Sequence, residues 1–264
     1  EPPEKHTEEE LEEIPDPPEE SNIKPGYIFL LGKHRLMCGD STSRDDVAKL
    51  MDGKKADLIF TDPPYNVNYE GKGEDKLKYD DNFSEEEYTK LLFNVFTNAH
   101  IFSHEKASLY LCHGSCWQMM TEQILNKAVY NARSQIVRLK NNSTLGFGRY
   151  KFKHEPIFYC NKKNVSDNWY GDSTQTTVWE FPKPTANKEH PTPKPVGLVM
   201  KAIDNSSKPN EIVLDFFGGS GSTLIACEES GRAARLMEIE PRFCEVIIRR
   251  WEKLTGKKAE KIAM

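Results

Sequence analysis

The sequence predicts an α/β fold built on a doubly wound, mostly parallel sheet with helices on both faces, and three observations lead there. Apolar runs of strand length, at 57–61, 107–112, 135–140, 155–160 and 211–215, alternate with stretches of helical periodicity. The run ending at Asp215 passes straight into Gly218-Gly219-Ser220-Gly221 and then a helical run, which is the strand, tight turn and helix of a βαβ unit. The run Asp57 to Thr61 ends in Asp62-Pro63-Pro64-Tyr65, at the carboxyl end of its strand, where open α/β sheets bind ligands.

In chain order, residues 1–20 hold ten acids against one lysine, with five prolines, so 1–23 reads as an acidic linker or disordered arm. This start looks cut from a longer chain. Residues 24–264 form one domain. Tyr27 to Cys38 alternates around Gly32-Lys33 as a hairpin, and Ser41 to Ser43 offers caps for a short helix over Asp45 to Met51. The strand to Thr61 follows, then a polar stretch to Phe83 of the length that is usually functional or disordered. Ser84 with Glu87 forms a capping box for a helix to about Phe102, its apolar face set by Leu91, Leu92, Val95 and Phe96. Ala107 to Cys112 is a strand, Trp117 to Ala128 a helix, and Gln135 to Lys140 with Glu155 to Cys160 an antiparallel edge hairpin joined by a basic, glycine-rich loop. In that loop, His154 beside Glu155 is expected to form an ion pair. Residues 161–189 break the alternation, and Trp179 is expected to pack on the sheet. A helix over Val196 to Asn205, the strand to Asp215, a helix beginning near Ser222 and a strand ending at Glu238 complete the unit.

A chain of 264 residues with 37% hydrophobic residues is long enough to bury a sizeable core. The net charge is −5, but the first twenty residues are more acidic than that, so the remainder is net positive and compatible with a nucleic-acid partner. Six cysteines show no CxxC pair, which fits a reduced, cytoplasmic setting. Cys112-His113-x-x-Cys116 is half of a zinc pattern with no second half, so no metal is expected. No apolar run reaches the ~18 residues a membrane span needs.

The chemistry of the two turns differs. Each proline removes a donor and fixes φ, so the Asp62 carboxylate and the Pro63 carbonyl are acceptors without neighbouring N–H groups. Two acceptors beside the Tyr65 ring suit a planar amine. In the second turn, Gly218, Gly219 and Gly221 let backbone approach a ligand closely, and Glu238 stands near the spacing at which an acid takes a ribose hydroxyl pair. Asp215 would repel a pyrophosphate but accept bonds from a cationic ammonium group, so the ligand suggested has a ribose and an amine and no phosphate.

"TDPPYN" together with "VLDFFGGSGST" resembles the amino-methylating, S-adenosylmethionine-dependent DNA methyltransferases. "HRLMCGDS" at 34–41, "KHEPIFYC" at 153–160, His190 to Pro195 and "EIEPRFCEVIIRRW" at 238–251 are also similar to landmarks of that family, and the matching segments spread over 26–251. The Asp-Pro-Pro-Tyr turn precedes the glycine loop, an order that resembles the beta class. The resemblance implies a seven-stranded, Rossmann-like methyltransferase sheet with an antiparallel edge hairpin. It implies Asp62, Pro63, Pro64 and Tyr65 as catalytic residues. S-adenosylmethionine would be held by Asp215, Phe216, Phe217, Gly218, Gly219, Ser220, Gly221, Glu238, Thr192 and Lys194, with Asp40 near its adenine end or else capping the next helix. Double-stranded DNA is the implied partner, with Tyr69, Lys72, Lys76, Arg149, Lys151 and Lys183 as contacts and 161–189 as a short target-recognition insert. A homodimer is compatible with this. A bacterial or phage-encoded methylase, in a restriction pair or alone, is the setting implied.

Stacked bases are out of reach of such a turn, so the target must flip out, with Tyr65 replacing the lost stacking. Asp62 orients the amine rather than deprotonating it, because an ordinary carboxylate cannot take a proton from a neutral amine. Asp at the first motif position favours adenine N6 in this family. Cytosine N4, or an amine on RNA or protein, is the alternative chemistry, and a silent DNA-binding module the alternative class. Cytosine C5 methylation is disfavoured because no cysteine follows a proline.

Overall fold

The computed structural model describes residues 6–67, 82–141, 143, 149–181 and 193–263. Its single sheet has strands β1 (Ile28–Leu31), β2 (His34–Cys38), β3 (Ala56–Thr61), β4 (Ser103–Cys112), β5 (Tyr130–Leu139), β6 (His154–Lys162), β7 (Val178–Glu180), β8 (Ile212–Asp215), β9 (Ala233–Glu238) and β10 (Glu260–Ala263). The helices are α1 (Glu8–Glu12), α2 (Arg44–Met51), α3 (Glu85–Ile101), α4 (Gln118–Lys127), α5 (Val196–Ser206), α6 (Ser222–Glu229) and α7 (Pro241–Thr255).

The strand order is β10-β1-β2-β9-β8-β3-β4-β6-β5-β7. From β2 to β4 every pairing is parallel, and β6 runs antiparallel between β4 and β5. The expected seven-stranded, mostly parallel sheet with its antiparallel hairpin is therefore the centre of the molecule. It is extended to ten strands by β1 and β10 at one end and β7 at the other, each only three or four residues long.

Side chains along a strand alternate between faces, and this alternation builds two cores. Leu58, Phe60, Val213 and Leu236 pack with α5, α6 and α7 on one face. Ile59, Leu214, Phe216 and Met237 pack with α2, α3 and α4 on the other. The expected capping box is present, since Ser84 and Glu87 satisfy each other's backbone donors at the start of α3. Trp179 is buried on the first face and donates to the Thr176 carbonyl at 3.0 Å.

The acidic arm departs from expectation. Residues 6–23 are docked rather than a free linker. Ile14 packs on Phe243 and Val246 of α7, and the Glu12 carboxylate accepts the first N–H of α5, from Val196, at 2.6 Å. Arg250 donates to the Leu11 carbonyl at 2.6 Å and Arg242 to the Pro18 carbonyl at 2.5 Å. Composition undervalued this segment because its anchors are a few scattered groups, the Leu11 and Pro18 carbonyls, the Glu12 carboxylate and Ile14, set against arginines and backbone supplied by other elements.

Candidate active site

Strand β3 delivers Asp62 to the carboxyl end of the sheet. Its Oδ1 accepts the Tyr65 hydroxyl at 2.8 Å and its Oδ2 accepts Lys194 Nζ at 2.6 Å. The turn between them is braced from outside: the Pro64 carbonyl accepts the Tyr88 hydroxyl at 2.8 Å, and Trp117 donates to the Asn66 carbonyl at 3.0 Å. The Asn66 side chain bonds both backbone groups of Phe83, at 3.1 and 2.8 Å, tying together the ends of the polar stretch. Among the described residues none donates to the Pro63 carbonyl, which leaves it as the acceptor the sequence suggested. Tyr65 differs from expectation in that its hydroxyl is tied to Asp62 and Lys194 Nζ lies 5.3 Å from its ring centroid.

Lys194 was expected at the cofactor, yet its ammonium group reaches Asp62. The reason is a second carboxylate behind it. Glu155 lies 3.7 Å from Lys194, 3.0 Å from Arg138 and 3.4 Å from Lys140. Burial alone would raise its pKa, but Lys194, Arg138 and Lys140 together outweigh burial and hold it at about 2. The expected ion pair with His154 does not form. Register places Arg138 opposite Glu155, and adjacent strand residues point to opposite faces, so His154 meets the Phe152 ring instead.

Strand β8 delivers Asp215 next to β3 in the sheet. Its carboxylate accepts the Phe217 N–H at 3.1 Å and the Thr223 hydroxyl at 2.6 Å. Glu238, at the end of β9, accepts the N–H groups of Gly219 at 2.7 Å and Glu240 at 2.9 Å. Both acids are 3% exposed, and burial pushes each up to about 7. Among the described residues neither has a cationic partner. Gly219 and Gly221 take positive φ, and a Cβ on Gly221 would come within 3.2 Å of Ile247, so the loop folds this tightly only with glycine there. Helix α6 starts at this loop with no side chain capping it.

One open cleft of about 70 Å³ joins the two turns, with Asp62, Phe60 and Lys194 on one wall and Asp215, Phe217 and the Gly218-Gly219-Ser220 backbone on the other. A ligand with a cationic group fits the second wall, where the buried Asp215 lines the cleft and the buried Glu238 holds the Gly219 N–H of the loop. Phe216, expected in the cofactor site, is 1% exposed and belongs to the opposite core with Leu214, two residues before it. The alternation along β8 carried that signal. Asp40 stands two residues past Cys38, the end of β2 that pairs with Glu238, and its carboxylate takes the Thr42 N–H and hydroxyl at 2.8 Å. Arg149 and Lys151 are exposed in the loop that leaves β5 and enters β6 at this same end of the sheet. Thr192, Tyr69, Lys72, Lys76 and Lys183 lie outside the described residues. No group of metal-ligating side chains occurs among the described residues, and no described helix is long and apolar enough to cross a membrane.

The geometry can be set beside known proteins. Residues 56–249 match the N6_N4_Mtase family, described as DNA methylase. The chain is 27% identical over 248 residues to DNA adenine methyltransferase YhdJ of Escherichia coli, covering 81% of this chain and 82% of that one. It is 28% identical over 236 residues to the type II methyltransferase M.HinfI of Haemophilus influenzae, covering 76% and 64%. In fold it is similar to the M1.HpyAVI complex with SAM (TM-score 0.64, 20% identity, 81% and 97% covered). It is likewise similar to the cytosine-N4-specific PvuII DNA methyltransferase (TM-score 0.67, 16% identity, 90% and 94% covered). The family match takes in β3 with the turn that follows it, the glycine loop and the strand ending in Glu238, so both walls of the cleft fall inside it, and the chain belongs to this family of DNA methylases.

Proposed function

We propose that this DNA methyltransferase transfers a methyl group from S-adenosylmethionine to the exocyclic N6 amine of adenine in double-stranded DNA. The observation that carries this reading is the shared cleft, which Asp62 and Lys194 line together with the buried Asp215 and the glycine-loop backbone, whose Gly219 N–H bonds the buried Glu238. S-adenosylmethionine supplies an electrophilic methyl group. Asp215 and Glu238 would hold its cationic and hydroxyl groups, with the uncapped start of α6 and the backbone of the glycine loop offering N–H donors to it.

The adenine amine is a weak nucleophile because its lone pair is delocalised into the ring. Asp62 and the Pro63 carbonyl accept its two N–H bonds, draw the nitrogen towards tetrahedral geometry and aim the lone pair at the methyl carbon. The gain is chiefly positioning. The N–C bond would form as the S–C bond breaks with its electron pair left on sulfur, and the cationic amine would then lose a proton to the Asp62 carboxylate that accepts its N–H, and from there to water. The base reaches the cleft by flipping. Arg149 and Lys151 stand where they would meet the DNA backbone.

The adenine choice rests on Asp at the first position of the motif and on the adenine-specific name borne by YhdJ. Cytosine N4 is the competing reading, since the fold is shared with a cytosine-N4-specific enzyme. Incubation with labelled methyl donor and unmethylated plasmid DNA, then hydrolysis to nucleosides, separates them. Label in N6-methyladenine is expected; label only in N4-methylcytosine, or only when RNA is the substrate, overturns the proposal.

A further inference from the structure

Lys194 is set between two carboxylates, 2.6 Å from Asp62 and 3.7 Å from Glu155, and only 7% of it is exposed. Its backbone has little freedom to follow it. Pro193 and Pro195 flank it with fixed φ, and the Glu12 carboxylate holds the next N–H, that of Val196. A small movement of the Lys194 head is therefore a side-chain rotation within a rigid frame.

The ammonium group is badly placed for the reaction. The substrate amine must share Asp62, whose oxygens already accept Tyr65 and Lys194. As the N–C bond forms, that amine gains positive charge. A lysine still on Asp62 would repel the charge and offset the carboxylate that ought to stabilise it.

We infer that Lys194 is a two-position residue, seated on Asp62 before the target amine enters and withdrawn to Glu155 when it does. Glu155 is then a positioning residue that acts through Lys194. In the first position the lysine balances the charge of the half-buried turn and keeps Asp62 correctly aimed. In the second it leaves Asp62 uncompensated opposite the developing cation. Arg138 and Lys140 fix the Glu155 seat, and the pull of Asp62 returns the lysine after product leaves. This rests on the amine-methylating reading above.

The test is single-turnover transfer of labelled methyl to unmethylated DNA, with donor affinity measured by calorimetry as the fold control. Glu155→Gln keeps the size of the side chain and removes the charge of the second seat. Its rate should fall about tenfold or more with donor affinity and KM for DNA unmoved. The double variant Glu155→Gln/Lys194→Met should be no slower than Lys194→Met alone, because Glu155 has no role without the lysine. A wild-type rate in Glu155→Gln, or losses that multiply in the double variant, would overturn the inference. If Glu155→Gln does not fold, Lys194→Arg replaces it: the guanidinium bridges both carboxylates at once, so slowed transfer with intact donor affinity is expected and an unchanged rate refutes. Active wild-type protein with indifferent variants sinks this inference alone; wild-type protein that labels no DNA takes the functional reading down with it.

Discussion

Asp62 on one wall of the cleft and Asp215 with Glu238 on the other stand at the same end of one sheet, yet they are held in opposite ways. Asp62 has a lysine at 2.6 Å that is itself backed by Glu155 and two further cations. Asp215 and Glu238 have only neutral donors, from backbone N–H groups and the Thr223 hydroxyl, and burial raises both to about 7. The difference teaches that charge on the first wall is compensated by the protein, whereas the second wall stays uncompensated until a cationic ligand arrives. Substrate orientation and donor binding should therefore separate under mutation and under pH.

The largest effect is expected on the first wall. Asp62→Ala removes the acceptor that aims the amine, and turnover should fall by about 10²–10³-fold in a steady-state methyl-transfer assay. On the second wall, Asp215→Asn removes a charge-assisted contact. Donor affinity measured by calorimetry should weaken by about ten- to a hundredfold, with turnover recoverable at high donor concentration.

The pH dependence sharpens the contrast. Asp215 and Glu238 must be ionised to hold a cation, so donor affinity should rise as pH increases from 6 through about 7 and level off near 8. The sign for stability is the reverse. Folded-state values above the unfolded ones mean that the ligand-free fold binds more protons between about pH 4 and 7, so its melting temperature should fall across that interval as pH rises. Glu155 is lowered to about 2, so its contribution is present above the unfolded value near 4 and is lost only as pH drops towards 2. Donor affinity that is flat in pH would break the comparison. The smallest effect belongs to Ile14 of the docked arm, which packs on α7 and lines neither wall: Ile14→Ala should cost about 2 kcal/mol in denaturant unfolding and leave donor affinity unchanged.

Much of this was legible in the chain because it is local. Leu58, Ile59 and Phe60 announce a strand buried on both faces, Ser84 and Glu87 a helix start, and the residues of both turns are contiguous. What was not legible is set by tertiary register. Lys194 meets Asp62 across 132 residues, and Glu155 meets Arg138 only because β5 and β6 pair as they do. The hairpin of β1 and β2 was marked by its alternation around Gly32-Lys33, whereas β7 and β10, three and four residues long, are too short for periodicity to mark. Phe216 was misassigned although the two-residue alternation from Leu214 already placed it in the core. The arm was misread because acidic, proline-rich composition hides how few anchors are enough when arginines lie opposite.

The division between the walls is tested most directly by the donor-concentration dependence of single-turnover transfer in Asp62→Ala. The account predicts a curve that half-saturates at the wild-type donor concentration but rises to a plateau lower by about 10²–10³-fold, because donor binding is untouched and only amine orientation is lost. A plateau that returns to the wild-type rate at high donor concentration would place Asp62 in donor binding and contradict it.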